Sequence, residues 1–308
     1  MKLVLILILC IFIVSLGILL TNNTHERFTS KNKQIKFLNS SQACKLISDI
    51  DYFKNMTDID ISARKFIKGR KQIISSYCNN FLNFTEKDKN IIKIAINKLP
   101  NNELFNLWSF AKIDTMVENG YPHTHKDTIF LSENTINENI SRLLYVLVHE
   151  QMHVIQRKKP ELFKSLFTKY FTFNIGKLII KDKYKKLMRS NPDTRYIPEN
   201  DYVYRDPNNN YYYLCALYND KNPLDLGDVK YVGIDCTYNR NDNTYTTTNI
   251  IKNIDDITGF SDYFNLTNNH YHPNEISAEL IAKYYTQPDI EKTNALNNTE
   301  LWLKENVV

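Results

Sequence analysis

The sequence predicts an α+β protein with a mostly helical N-terminal lobe and a β-rich insertion, preceded by one transmembrane helix. Three patterns support this fold class. An uncharged apolar run covers Leu3–Leu20, and residues 41–113 carry apolar positions among lysines with few glycine or proline breaks. Residues 196–248 are rich in Tyr, Val and Thr and are interrupted by Asp-Pro and Asn-Pro, which is typical of strands and turns.

The apolar run at Leu3–Leu20 predicts a membrane anchor. As a helix it would be about 27 Å long, close to the hydrocarbon thickness of a bilayer. A cleaved signal peptide is the alternative, but its apolar core is usually shorter, and no small-x-small cleavage site precedes Thr21. We therefore expect residues 1–21 to anchor a single-pass membrane protein, with residues 22–40 as a polar linker.

The side of the membrane that the domain faces stays open. Arg27 and three lysines follow the apolar run, and the positive-inside rule would keep the domain in the cytosol. Asn-x-Ser/Thr acceptors and an even number of cysteines favour the other side, for instance of a host endomembrane or a virion membrane. The cysteines outside the run form two neighbouring pairs whose disulfide state is also open: Cys44, Cys78, Cys215 and Cys236.

The composition excludes one class of partner. The net charge of +5 comes from lysines spread along the 308-residue chain, and no basic stripe with interleaved aromatic residues is present. Nucleic-acid binding is therefore not expected. Scarce glycine and abundant Asn, Ile, Lys and Tyr are typical of an AT-rich genome, such as those of many large DNA viruses or some protists. Nothing in the sequence indicates the oligomeric state.

The segment His149-Glu150-Gln151-Met152-His153 predicts a zinc site. Residues four apart on a helix project from the same face, so both imidazoles can bind one zinc ion. Glu150 is rotated from that face by about 100° and is placed to take a proton from a water molecule activated by the metal. Uncharged residues flank the segment, as a buried helix requires. The alternative is a helix with one buried and one surface histidine.

A later segment, His272-Pro273-Asn274-Glu275-Ile276-Ser277-Ala278-Glu279, supplies a candidate third ligand. Asn274 can cap a helix on which Glu275 and Glu279 share one face. With this segment the chain resembles the gluzincins, zinc peptidases that pair His-Glu-x-x-His with a later Asn-Glu-x-x-x-Asp/Glu helix. Glu at 279 where Asp is familiar, the long interval between the two helices and the lack of a downstream histidine depart from that pattern.

The resemblance implies a zincin-like catalytic domain over residues 41–308 with Zn²⁺ as cofactor. His149, His153 and Glu275 would bind the metal and Glu150 would be the general base. Glu279 would orient a ligand imidazole from behind. Rival third ligands are Glu279 itself, His272 and His270, and the two glutamates also suit an ordinary solvated helix face.

The pattern of helical and strand-like segments along the chain divides this domain into four parts. Residues 41–113 form the helical lobe, and residues 114–160 hold an edge strand and the active-site helix. Residues 161–260 are the insertion, and residues 261–308 hold the third-ligand helix and a C-terminal helix. Within the second part, a capping box at Thr135-x-x-Glu138 predicts the start of the active-site helix, and Pro160 predicts its end.

Further candidates concern the substrate. We expect Thr128–Ser132 to be an edge strand that pairs with extended substrate backbone, with His123, His125 and Phe130 as substrate-binding candidates. The histidines also suit a plain loop. Tyr271 is the candidate donor to the oxyanion, with an ordinary core or surface tyrosine as the alternative.

The expected function is zinc-dependent hydrolysis of a peptide bond in a peptide or protein substrate. One alternative is a degenerate zincin fold that serves as a membrane-displayed binding or structural module. Another is a zinc hydrolase of a non-peptide amide, because the motif specifies activated water and leaves the acyl substrate open. Glu150 favours an enzyme, since a structural zinc site has no need of a general base.

Overall fold

The computed structural model describes residues 33–48, 51–194, 197–265 and 270–307. They form an α+β fold with a mixed sheet, flanking helices and a β-barrel. The strands are β1 (Gln34–Phe37), β2 (Phe81–Leu82), β3 (Leu107–Ile113), β4 (His123–His125), β5 (Thr128–Ser132), β6 (Phe173–Ile179), β7 (Asp201–Arg205), β8 (Tyr211–Tyr218), β9 (Val229–Asn239) and β10 (Thr244–Asn253). The helices are α1 (Ser40–Ile47), α2 (Asp58–Ala63), α3 (Ile73–Cys78), α4 (Glu86–Asn97), α5 (Glu133–Ile136), α6 (Ile140–Lys158), α7 (Pro160–Ser165), α8 (Asp182–Lys185), α9 (Phe260–Phe264), α10 (Pro273–Thr286) and α11 (Asn294–Asn306).

The predicted transmembrane helix and membrane localisation must be corrected. Within the described ranges no helix is long and apolar enough to cross a bilayer. The predicted anchor at Leu3–Leu20 lies outside those ranges.

The mixed sheet has the order β1-β3-β5-β4, with β2 paired to the far end of β3. Strands β1, β3 and β5 are parallel, and β4 is antiparallel to β5. The edge strand next to the active-site helix is thus β4, whereas the predicted edge strand, β5, lies inside the sheet. All five residues of β5 are buried, as expected for a strand covered on both faces.

The helical lobe also contains strands that the sequence pattern does not reveal. Strand β3 runs through the last part of the predicted helical region and pairs with β1 on one side and β5 on the other. Its residues after Leu107 are mostly buried, with Lys112 neutralised by Asp88 at 2.9 Å. A disulfide between Cys44 and Cys78 joins α1 to α3.

Helix α6 carries the His-Glu-x-x-His segment and is buried over most of its length, from Leu143 to Gln156. The helix begins after Asn139, whose side chain accepts a hydrogen bond from the Arg142 N–H at 2.9 Å. Thr135, the predicted cap, instead lies in the short preceding helix α5. Fully buried apolar residues such as Leu147 and Met152 each stabilise the packed helix by about 1.5–3 kcal/mol.

Helix α10 packs against α6 and brings the second predicted segment to the first. Pro273 occupies its first turn, where a missing N–H costs nothing. The helix cap is His272, whose Nδ1 accepts a hydrogen bond from the Asn274 N–H at 3.1 Å, so Asn274 does not take the predicted capping position. The predicted helix at residues 274–285 is confirmed.

The insertion forms a closed five-stranded barrel with the order β10-β6-β7-β8-β9. The predicted strands are present, and the parallel pair of β6 and β10 closes the barrel. Strand β6 follows the short helix α7 and a π turn at Leu166–Tyr170. Cys215 and Cys236 are buried in the barrel as free thiols.

Candidate metal centre and active-site cleft

Three side chains from α6 and α10 converge on one point. The Nε2 atoms of His149 and His153 are 3.1 Å apart, and Glu275 Oε2 lies 3.3 Å from the first and 3.6 Å from the second. Tetrahedral zinc with bonds of 2.0–2.1 Å places its ligands about 3.3 Å from one another. Within the described residues, these three form a group of metal-ligating side chains with mutually close donor atoms. Their spacing therefore fits one tetrahedral metal ion.

The ring of His153 is oriented by Gln156, one turn further along α6. The Gln156 amide nitrogen donates to the Asn274 carbonyl oxygen and to Ser277 Oγ, both at 2.9 Å. The amide oxygen therefore faces His153 Nδ1 at 2.9 Å and accepts a hydrogen bond from its N–H. That tautomer leaves a lone pair on Nε2, which is the atom that faces Glu275 and His149.

The back of the His149 ring faces Glu279. The distance from His149 Nδ1 to Glu279 Oε2 is 3.9 Å, and Nδ1 has no hydrogen-bond partner in the described structure. Lys283 Nζ holds the other carboxylate oxygen of Glu279 at 3.4 Å, and Tyr145 also hydrogen-bonds to Glu279. The predicted orienting carboxylate thus lies behind the predicted imidazole ligand.

The electrostatics of the cluster favour a bound cation. Burial alone would lower the pKa of His153, but the carboxylates of Asp193 and Glu275 raise it to about 10. Burial alone would raise the pKa of Glu275, yet the two imidazoles hold it well below its usual value. The site therefore retains a proton where a divalent metal ion can replace it, as expected of a metal-binding ligand set.

Glu150 is buried beside the cluster and lines the same cavity as the three candidate ligands. Its Oε2 atom has no hydrogen-bond partner in the described structure. Burial raises the pKa of Glu150, and the neighbouring carboxylates of Asp193 and Glu275 add to that effect. A carboxylate with a raised pKa and a free oxygen suits proton transfer near neutral pH.

The candidate ligands open into a cavity of about 570 Å³. One wall is the segment Arg189–Asp193, which leaves the barrel after α8 and crosses the face of α10. The Asn191 amide nitrogen donates to Glu275 Oε1 at 2.8 Å and to the Tyr271 hydroxyl at 2.6 Å. Residues from the insertion thus contact the candidate metal ligand directly.

Comparison of the chain with protein-family models, with curated proteins and with solved structures finds no match. The function must therefore be argued from the geometry of the site.

The edge strand β4 meets this wall through Asp193. The Asp193 carboxylate accepts hydrogen bonds from the N–H of Thr124 at 3.3 Å and from the Thr124 hydroxyl. Arg157, at the end of α6, donates to the same carboxylate at 2.9 Å. The N–H of Thr124, on the observed edge strand, is therefore already paired in this structure.

Tyr271 lies in the cavity beside the third candidate ligand. Its hydroxyl donates to Glu275 Oε1 at 3.4 Å and accepts hydrogen bonds from Asn191 and from Arg189. Burial raises its pKa, so the hydroxyl keeps its proton at any physiological pH. The geometry suits a residue that positions Glu275, and it also keeps a donor within the cleft.

The three substrate-binding candidates pack against one another, but only His123 reaches the cavity. His123 lines the cavity and stacks on Phe130 with ring centroids 5.1 Å apart. His125 and Phe130 are absent from the lining residues and pack into the core, where Tyr52 and Phe53 contact the His125 ring. Burial lowers the pKa of His125 well below its usual value, as expected for a neutral core histidine.

Several cavity residues were not anticipated from the sequence. Arg189, Asn191 and Asp193 come from a loop without periodicity, where the dipeptide Asn191-Pro192 is a break signal that says nothing about function. Glu118 lies in a left-handed conformation with φ of 49° and pairs with the buried Arg64 at 2.8 Å. A backbone strain of this kind is common near functional sites and leaves no signal in the sequence.

Proposed function

We propose that the chain is a zinc-dependent peptidase with a gluzincin-like ligand set. The observation that carries the proposal is the convergence of His149, His153 and Glu275 at 3.1–3.6 Å, with Glu150 in the same cavity. Two helices separated by a whole barrel in the sequence supply these groups. A convergence of two imidazoles and a buried carboxylate is the kind of ligand set that zinc binds.

His149 and His153 would hold the ion through Nε2 and Glu275 through Oε2. The donor chemistry fits zinc, and Gln156 fixes the tautomer that binding requires. When bound, zinc supplies Lewis acidity that makes water nucleophilic at neutral pH and polarises the carbonyl under attack.

The chain's own residues would move the protons. Glu150 takes a proton from the attacking water at its unpartnered Oε2 and returns it to the leaving amine. Tyr271 donates its hydroxyl proton to Glu275 in a hydrogen bond and so holds that carboxylate in place. The apolar packing around α6 keeps these groups rigid, so their arrangement exists before substrate arrives.

The test uses the purified full chain. Bound metal is measured, and cleavage of a peptide library is compared between wild type, Glu150→Gln and the matched control Glu161→Gln, which changes an exposed glutamate on α7. We expect stoichiometric zinc in all three proteins and cleavage in all but Glu150→Gln. Stoichiometric zinc without Glu150-dependent cleavage would contradict a peptidase and favour a binding module. A folded protein that binds no zinc would contradict both.

A further inference from the structure

The positively charged side chains that line the cavity differ in whether a carboxylate pairs with them. Four arginine and lysine side chains line it. Arg64 pairs with Asp60 and Glu118, Arg142 lies 3.6 Å from Glu138, and Lys283 lies 3.4 Å from Glu279. Arg189 has no carboxylate partner among the described residues. It is thus the lining cation whose charge the described part of the chain leaves uncompensated.

Arg189 is nevertheless held firmly. Its guanidinium donates to the Leu226 carbonyl oxygen at 3.3 Å and to the Tyr271 hydroxyl at 3.0 Å. It also lies 5.3 Å from the Tyr271 ring centroid and 5.9 Å from that of Tyr231, and these two rings are stacked. A guanidinium has five N–H donors in a rigid fork, so two hydrogen bonds leave donors for a ligand. The side chain is half-buried and faces the cavity.

The position of Arg189 relates directly to the candidate metal centre. The Tyr271 hydroxyl that receives its hydrogen bond lies 3.4 Å from Glu275 Oε1. An extended peptide advances about 3.5 Å per residue. An anion at the guanidinium therefore lies one to two residues along the chain from a carbonyl group held at the ligand cluster.

The charges on the rest of the cavity wall also favour the Arg189 end as the place where an anionic group binds. Glu150 lies on another part of the wall and would repel an anionic group placed beside it. Arg64 and Arg157 already pair with Glu118 and Asp193, so these cations are not free to attract an anion. The end of the cavity at Arg189 is formed by aromatic rings and a backbone carbonyl group. A carboxylate is accepted best there, because a partly desolvated guanidinium binds it through paired, charge-assisted hydrogen bonds.

We propose that Arg189 is the specificity residue of the cleft and selects substrates with a carboxylate one or two residues from the scissile bond. This inference rests on the proposed peptidase function. The carboxylate is either the C-terminus of the peptide or an Asp or Glu side chain. The first source makes the enzyme a carboxypeptidase that removes one or two residues, and the second makes it an endopeptidase with acidic specificity.

The test measures binding, so that it needs no turnover. Four versions of one short peptide are titrated by calorimetry into the zinc-loaded full-length Glu150→Gln protein: free C-terminus, C-terminal amide, amide with Asp next to the scissile bond, and amide with Asn there. We expect at least one carboxylate form to bind on the order of tenfold more tightly than its neutral partner. The form that does so identifies the source of the carboxylate.

The added substitution Arg189→Met should abolish that preference, and Arg189→Lys should restore part of it, since it keeps the charge and loses the fork. Arg142→Met, which removes a cation already paired with Glu138, is the matched control and should leave the preference intact. Zinc content and circular dichroism check folding, and Arg189→Gln replaces the Met variant if that protein does not fold.

Equal binding of carboxylate and neutral peptides by the protein with Arg189 intact overturns the proposal. So does a preference that survives Arg189→Met. Carboxylate preference in binding without any Glu150-dependent cleavage would instead contradict the peptidase function and leave Arg189 as a carboxylate-binding residue. The two failures are therefore distinguishable.

Discussion

The side chain of Gln156 accepts a hydrogen bond from His153 Nδ1 at 2.9 Å while its amide nitrogen is held by the N-terminal turns of α10. One residue thus couples the two helices that carry the candidate ligands. Replacing it by alanine frees the His153 ring without removing a ligand. We expect Gln156→Ala to weaken zinc binding roughly 10–100-fold, measured by competition with a chelator. Gln72→Ala, at an exposed position far from the site, should bind zinc as wild type does.

The two glutamates of α10 should differ in their effect on the metal. Glu275 Oε2 faces both imidazoles at 3.3 and 3.6 Å, whereas Glu279 approaches only the back of His149, at 3.9 Å. We expect Glu275→Ala to reduce zinc affinity far more than Glu279→Ala does. Chelator competition on both proteins checks the order. A larger loss in Glu279→Ala would reverse the assignment of the third ligand.

The buried Arg64 should be a major contributor to stability. Its guanidinium bonds to Glu118 at 2.8 Å, to Asp60 at 3.1 Å and to the Ser190 carbonyl oxygen at 3.0 Å. Arg64→Met leaves the buried carboxylates of Asp60 and Glu118 without the cation that pairs with them, so we expect the free energy of unfolding to fall by about 3–5 kcal/mol. Denaturant titration measures the change.

The control for this substitution is Arg70→Met. Arg70 pairs with Asp58 at 2.7 Å, but the Asp58 side chain is 92% exposed. Exposed pairs contribute about 0–1 kcal/mol. Similar losses in the two variants would show that the cluster around Arg64 is not coupled to folding.

Asp201, at the start of β7, should make stability depend on pH. Burial raises its pKa to about 7, although the N–H groups of Ile197 and Tyr202 bond to its carboxylate. The unfolded chain titrates near 3.9. The folded state therefore binds the proton more tightly, and its contribution is complete below about pH 4 and is lost as pH rises toward 7. We expect a decline of up to about 1.4 kcal/mol per pH unit in that window.

The variant Asp201→Asn should remove this decline, because asparagine does not titrate. Asp182→Asn, at an exposed position on α8, should keep it. Unfolding by denaturant between about pH 4 and pH 7 measures the slopes. A slope in Asp201→Asn equal to that of wild type would assign the pH dependence to other groups.

The part of the site that the sequence predicts is the part encoded in local spacing. His149 and His153, with Glu150 beside them, have helical spacing, and so do Glu275 and Glu279. The spacing therefore predicts which side chains share a face of each helix. Neither spacing shows that the two helices contact each other. Only the resemblance to the gluzincins implied that Glu275 lies beside the two histidines. In the structure Gln156 makes the contact, and its role depends on a residue 118 positions away.

The parts that escaped prediction depend on distant contacts. Asn191 lies 84 residues from Glu275 in the sequence, and Asp193 lies 69 residues from Thr124. Strand β3 lies within the predicted helical region because its seven residues show no strict alternation of apolar and polar side chains. The edge strand was predicted to be β5 and is β4, and the cause is similar. The two strands form a hairpin, and their residue patterns do not show which of them pairs with β3.

The hydrogen bond from the Thr124 N–H to the Asp193 carboxylate also opposes self-association of the protein. An unpaired sheet edge offers its N–H groups to any extended chain, including another copy of the same protein, and open edges nucleate aggregates. A carboxylate that bonds to the Thr124 N–H removes that donor and sets a negative charge beside it. The fold thereby protects the exposed sheet edge beside the groups proposed to hydrolyse peptides. An incoming strand must compete with Asp193 for the hydrogen bond to the Thr124 N–H.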